Sequence, residues 1–406
     1  MNKKRMKRVG PKLSGAKKVK VSDLLAMVPD TLLEQIGKDL KVDRPYQKLT
    51  GLKMFKVLLY SLAETTRISL RNIADTYNHL FKEKFLGSDN SEKTRHSSLA
   101  DRLSKINPDY FESIFNFLVE ISQKLIDVKK YKNVYRFDST LMGLSAKLLS
   151  KIGINCGGDA RSRIRHFKVT VGQKGVIPSF VRFCTKKSES SESIALKEAI
   201  LDAKVKSTDI VVFDRGLSGG NGFCELDKEE ILFVTRTKTS RKVKVVENFT
   251  IEHNSTETLN ILSDQKVLLF GKKGTKFKTP FRFIRARCKK NNEEICFMTN
   301  IFTMAVTEIT EIYRSRWDIE VFFRFVKQEL NLSHFLARNL NGMKVYVYMI
   351  LIFAILLLVY KTKNNLSGYK FVKKDFFREL EGCITADIIE RYGGDKQSYL
   401  ADMGLA

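Results

Sequence analysis

The chain has 406 residues, with 72 Lys and Arg against 45 Asp and Glu and a formal net charge of +27. That length exceeds one ordinary single-core domain, so two or three structural units are expected, and the charge favours a polyanionic partner, nucleic acid first. A ribosome-associated protein or a generally basic proteome would show the same excess. Cysteines 156, 184, 224, 288, 296 and 383 form no Cys-x-x-Cys pair and no Cys/His cluster, which excludes zinc-finger spacing. The apolar run Leu24–Val28 is too short for a signal-peptide core and ends at Pro29, so an intracellular protein is expected.

Residues 1–20 hold nine Lys or Arg and no acid, the composition of a disordered basic arm. Such an arm can lie along phosphates or be a mere solvated tail. From 21 to about 128 the apolar spacing is helical, as in LKMFKVLLYSLAE and YFESIFNFLVEISQKL. Ser69 and Ser97 each look like the capped start of a helix with basic residues nearby. They are candidate elements of a helix-turn-helix, although any small helical bundle yields similar strings.

After Tyr131 strand-like runs appear at Val134–Asp138, His166–Val171, Ile177–Cys184, Ile210–Asp214 and Ile231–Thr235, with a helix-like run at Ser193–Ala203. Their order predicts a mixed sheet backed by helices. Residues 239–304 continue with β-type runs and read as a β-rich insertion. Helical character resumes at Thr307 and continues into Val345–Tyr360, which is almost wholly apolar. Sixteen residues of helix span about 24 Å, short of a hydrocarbon layer of roughly 30 Å, which predicts a buried core helix and no membrane span. Residues 363–406 form a small C-terminal region.

Asp138 and Asp214 each end an apolar run, VYRFDST and DIVVFDRG, where a carboxylate projects from a sheet edge and Gly216 permits a sharp turn. Either alone is more often a turn former or a cap. Tyr313, Arg316, Glu320 and Lys327 fall in EITEIYRSRWDIEVFFRFVKQEL. Read as one helix, their offsets place them within an arc of about 60°, beside an apolar face of Ile312, Ile319, Phe323, Val326 and Leu330. Asp318 faces another side. A solvated stripe with an Arg316–Glu320 pair is the plain alternative. Together, two strand-end aspartates and a helix-borne glutamate supply hard oxygen ligands suited to two Mg²⁺ ions, as phosphodiester chemistry requires.

At these residues the chain resembles the bacterial insertion-sequence transposases of the insertion-sequence-4 family. Their Tyr-x2-Arg-x3-Glu-x6-Lys motif is matched by Tyr313, Arg316, Glu320 and Lys327. Their RW-x-IE core is matched by Arg316, Trp317, Ile319 and Glu320. The Asp-Arg-Gly of the second motif falls on Asp214, Arg215 and Gly216, and the first motif on Asp138 and Ser139. The resemblance covers about residues 40–360. It implies an α/β fold: an RNase H-like catalytic core at 129–362, interrupted by a β-strand insertion at 239–304 and preceded by an all-helical DNA-binding domain at 21–128.

It further implies Asp138, Asp214 and Glu320 as catalytic metal ligands for two Mg²⁺ ions, with Mn²⁺ as an acceptable substitute. Tyr313, Arg316, Lys327, Trp317 and Arg215 would contact DNA. The implied reaction is metal-dependent cleavage at transposon ends followed by strand transfer, on double-stranded DNA, in the bacterial cytoplasm, by a homodimer. The family can stack a flipped base on an aromatic residue. The only Trp here is Trp317, so either it or a Phe or Tyr would serve. A structure-selective nuclease and a catalytically inactive, transposase-derived DNA-binding protein are the competing readings.

Overall fold

The computed structural model describes residues 18–44, 48–65, 67–79, 93–126, 133–143, 154–155, 165–185, 189, 191–271, 276–332, 335–337 and 339–405. Most of the expected basic arm and Cys156 lie outside these residues, and the described cysteines are unpaired. Packing divides the chain into two units, residues 1–127 with 325–406, and residues 128–324.

The second unit is built on a ten-stranded sheet. Its strands are β1 (Val134–Gly143), β2 (Ile154–Asn155), β3 (Arg165–Lys174), β4 (Ile177–Cys184), β5 (Ile210–Phe213), β6 (Leu232–Thr237), β7 (Val243–Asn248), β8 (Leu259–Phe270), β9 (Lys276–Cys288) and β10 (Glu294–Thr299). β1 pairs antiparallel with β3, and β3 with β2 and β4. On its other side β1 runs parallel to β5, and β5 parallel to β6. The last four strands extend the same sheet beyond β6 as an antiparallel run, β10-β9-β8-β7. The β-type pattern of residues 239–304 therefore forms a continuation of the sheet itself.

Strand alternation sends Tyr135, Phe137, Val211, Phe213 and Phe233 to one face, where they pack on Leu196 and Ile200 of α7 (Glu192–Asp202) and Phe223 and Leu226 of α8 (Gly220–Lys228). Val134, Ile210, Val212 and Val234 face the other way, onto Ile309, Ile312 and Tyr313 of α9 (Val306–Arg314). Apolar residues of β8, β9 and β10 continue both layers. The expectation of a mixed sheet backed by helices is met.

The first unit is helical: α1 (Val21–Ala26), α2 (Asp30–Asp39), α3 (Gly51–Glu64), α4 (Leu70–Asn78), α5 (His96–Lys105), α6 (Asp109–Leu125), α11 (Leu340–Lys363), α12 (Tyr369–Arg391) and α13 (Lys396–Asp402). The division falls within α10 (Trp317–Gln328), at Arg324–Phe325. Ser69 caps α4 as expected, its hydroxyl accepting from Asn72 N. The second expected start is displaced: α5 begins at His96 with Arg95 at the cap position, so Ser97 lies inside it. Residues 80–92, between α4 and α5, lie outside the described residues, and the helix-turn-helix expectation rests partly on them.

The apolar helix α11 has 24 residues, capped by Asn339. At 1.5 Å per residue it measures about 36 Å, so shortness does not exclude a membrane span. Burial supports the core-helix reading instead: 94% of its apolar window lies inside the protein, packed on α3, α5, α6 and α12. Packing also groups α11 with the amino-terminal helices, a different partition from the one drawn on periodicity, because its apolar surface is covered by that bundle.

Candidate active site

Register places the two aspartates side by side. Val134 lies opposite Ile210 and Arg136 opposite Val212 in the parallel β1–β5 pair. Extended by two residues, that register brings Asp138, inside β1, level with Asp214, the first residue after β5, across a strand spacing of about 4.8 Å. Continued alternation puts both on the face of Val134 and Val212, the face that α9 covers.

Each aspartate fixes one oxygen locally. Ser139 N donates to Asp138 Oδ1 at 2.8 Å, and Gly216 N to Asp214 Oδ1 at 2.8 Å, leaving a second oxygen on each for another partner. A Cβ on Gly216 would come within 2.7 Å of Glu192 Cγ and 2.9 Å of Asp214 Oδ1, so this turn needs glycine for close approach. The Thr235 hydroxyl on β6, within 3.0 Å of both Phe213 O and Asp214 O, pins the end of β5.

The expected single helix carrying the four-residue stripe is broken. Tyr313 closes α9, Arg316 lies in the break, and Glu320 and Lys327 ride on α10. Short-range bonds tighten the break: Arg316 N to Tyr313 O at 2.9 Å and Asp318 N to Ser315 O at 3.1 Å. Three of the four residues still meet. The Arg316 guanidinium is 5.7 Å from the Tyr313 ring centroid and pairs with Glu320 Oε1 at 2.5 Å. Lys327, seven residues beyond Glu320, is exposed and belongs to the helical unit. Trp317 opens α10, 55% exposed, with the Arg324 guanidinium 5.7 Å from its ring centroid, and Arg215 is exposed beside Asp214.

The cause of the break is a residue that the sequence reading passed over. Arg136, on β1 two positions before Asp138, is 2% exposed. Its Nε donates to Ser315 O at 2.6 Å, its Nη1 to Gly175 O at 2.8 Å, and its Nη2 lies 3.1 Å from Asp318 Oδ2. One planar fork thus ties the Asp138 strand to the helix break that carries Arg316. A charged residue on the buried face of an apolar strand was the available signal. Both acids of α10's first turn are thus paired, Asp318 with Arg136 and Glu320 with Arg316.

Burial, reinforced by the Asp214 and Glu320 carboxylates, pushes the Asp138 carboxyl up to about 6, against the opposing effects of the Ser139 amide and Arg316. Burial likewise raises the Tyr313 phenol above its ordinary range. The three acids therefore share one electrostatic neighbourhood, with Arg316 as a nearby cation. Among the described residues, no three Asp, Glu, His or Cys side chains converge as a closed metal cage, and Glu320 turns to Arg316. The donors nonetheless fit a hard divalent cation: they are carboxylate oxygens, and the burdened Asp138 is relieved by a cation.

Asp138 lies inside β1, which runs on to Gly143, and not at the expected strand end, whereas Asp214 directly follows β5, the parallel neighbour of β1. A mixed α/β fold with acids so placed is the class these features define. The chain belongs to the Transposase DDE domain family, which matches residues 125–357, more than half its length. Members of that family depend on divalent metal.

A Sinorhizobium fredii protein named as a transposase, y4zB, is 26% identical over 163 residues, 40% of this chain and 46% of that one. A Geobacillus stearothermophilus protein named as the transposase of insertion sequence element IS5377 is 33% identical over 96 residues, 22% and 26% of the two chains. A Synechocystis protein named for element IS4SA is 22% identical over 241 residues, 58% and 63%. The chain thus matches less than two thirds of the length of these relatives. In fold it is similar to piggyBac transposase, solved in a synaptic complex with hairpin DNA, at a TM-score of 0.50 and 8% identity over 95% of this chain and 84% of that one.

Proposed function

We propose that this protein is a DNA transposase that binds the ends of an insertion sequence and catalyses their metal-dependent cleavage and strand transfer by a cut-and-paste route. The observation that carries the reading is that Asp138 in β1 has Asp214, just past the parallel neighbour β5, and Glu320 both close enough to raise its carboxyl. On this reading residues 129–362 are an RNase H-like catalytic domain interrupted at 239–304, and 21–128 a helical DNA-binding domain. Residues 1–20 form a basic arm and 363–406 a small C-terminal region.

Asp138, Asp214 and Glu320 would hold two Mg²⁺ ions, for which Mn²⁺ would substitute. When bound, such a pair supplies Lewis acidity to the attacking and leaving oxygens of a phosphodiester. The chain's own residues do the positioning. Ser139 N and Gly216 N orient the aspartates, and Arg316, paired with Glu320, is the guanidinium placed beside them that would pair with a DNA phosphate. Its Nε, buried with no partner, is a donor available for that contact. Tyr313, Lys327, Trp317 and Arg215 are the further expected DNA contacts. The partners are transposon ends and target DNA, engaged by a homodimer in the bacterial cytoplasm.

The test is cleavage of labelled DNA carrying the element's ends, with Mg²⁺ or with chelator. Asp214→Asn and Glu320→Gln should abolish nicking at the element boundary and leave end binding intact. Full nicking by either variant would sink the triad. Tight binding by the wild type without any nicking would favour the inactive DNA-binding reading.

A further inference from the structure

Beside Asp214 the sheet unit opens into a groove of about 690 Å³, whose walls come from the β5 and β6 ends and from the β9–β10 hairpin. Arg215, Arg236, Lys238 and Arg285 line it against two acids, Glu293 and Glu294. The hydroxyls of Thr239 and Ser240 add neutral donors. Its lining includes no aromatic ring. A cavity rich in cations and hydroxyls but without a stacking platform suits phosphate and sugar, and offers nothing to a base face.

Two further observations point to an anionic strand. The Nε of Arg236 is buried without a hydrogen-bond partner, a costly state that an incoming acceptor would relieve. Arg236 is also close enough to Tyr313 for its charge to act on the phenol. Arg285 is held at 2.6 Å by Glu294, a pair half open to solvent that an arriving phosphate can exchange.

We propose that this groove holds the sugar-phosphate backbone of one DNA strand beside the cleavage point, with Arg236 as its buried contact and Lys238 and Arg285 as its exposed ones. This rests on the transposase reading and adds a place for the strand that the family motifs do not assign. Recognition here is of backbone, so its contribution is independent of base sequence and screened by salt.

The test uses the full chain and duplex DNA carrying the element's ends, with chelator present so that binding is read without cleavage. Lys238→Gln with Arg285→Gln, both on exposed side chains, should reduce the slope of log affinity against log salt by about 2, at roughly 0.9 per phosphate contact. Phosphate-ethylation interference should vanish at the contacted positions and persist elsewhere. Glu294→Gln, which frees Arg285, should tighten binding. An unchanged slope and interference pattern in the double variant, with wild type binding and nicking normally, would overturn the groove alone. Absence of DNA binding by wild type would overturn both the groove and the function it rests on.

Discussion

Each unit buries an arginine, and the two serve different ends. In the helical unit Arg102 is 1% exposed, its Nε donating to Leu49 O at 2.7 Å and its Nη2 to Val42 O at 3.1 Å, with Asp43 beside it. It fastens α5 to the segment before α3. Lys373 of α12 behaves alike, donating to Thr65 O and Glu329 O while burial pulls its ammonium down to about 8. In the sheet unit Arg136 makes an equally complete fork, but what it fixes is the helix break beside Asp138. Around that break the match is incomplete: Arg316 pairs with Glu320, yet the Nε atoms of Arg236 and Arg316 lack hydrogen-bond partners, and burial holds Asp138 near 6. Matched buried charge stabilises a scaffold, whereas unmatched buried charge marks a place prepared for a ligand.

The sharpest way to break this comparison is to exchange what the two arginines lose. Arg102→Met strands two carbonyls and Asp43, and should cost about 3 kcal/mol of unfolding free energy, read by denaturant melting. Cleavage per folded molecule should be unchanged. Arg136→Lys keeps the charge but cannot reproduce the fork, and should lower cleavage by roughly 10–100-fold, the scale typical of residues that orient metal ligands. End binding should persist. If Arg136→Lys cleaves like wild type, Arg136 is scaffold only and the contrast fails.

Next in size is the burden on Asp138. Its carboxyl is raised from 3.8 to about 6, so the native state binds that proton more tightly than the unfolded chain. Wild-type stability with chelator present should therefore fall as pH climbs from about 4 to about 6, then level off. Asp138→Asn removes the penalty and should raise the unfolding free energy at pH 7.5 by at most about 3 kcal/mol, at 1.36 kcal/mol per pKa unit, while ending cleavage. The gap between variant and wild type should close as pH drops below about 4. A variant no more stable than wild type at pH 7.5 would mean that Asp138 is not under strain.

Local pattern carried much of this into view, and long-range contact carried the rest. The run Ile177–Cys184 coincides with β4, and the end of β5 at Phe213, directly before Asp214, follows from an apolar run that stops at an acid. β1 continues to Gly143 beyond the expected end, because Ser139 and Thr140 pair across to Thr170 and Val169 although they are polar. The break between Tyr313 and Trp317 has no Gly or Pro to announce it. It is held by Arg136, almost two hundred residues earlier, which no window of helical periodicity includes. The grouping of α11 with the amino-terminal helices is equally non-local, since an all-round apolar helix says that it is buried and not where.

The smallest expected change in stability comes from Trp317, and it sharpens the question of which aromatic receives a base. At 55% exposure, with only Arg324 over its ring, the indole contributes little to the core. Trp317→Ala should shift stability by no more than about 0.5 kcal/mol. If Trp317 is the platform, the same variant loses about 1–3 kcal/mol of DNA affinity, the usual value of one base–aromatic stack, and Trp317→Phe restores most of it. The basic groove has no ring of its own, so a stacked base must be found elsewhere than in that cavity. Fluorescence quenching of the single tryptophan on adding DNA, absent with DNA lacking an extrahelical base at the cleavage point, would place that base on Trp317. Unchanged affinity and emission would move the stack to a phenylalanine or tyrosine and leave Trp317 as an exposed partner of Arg324.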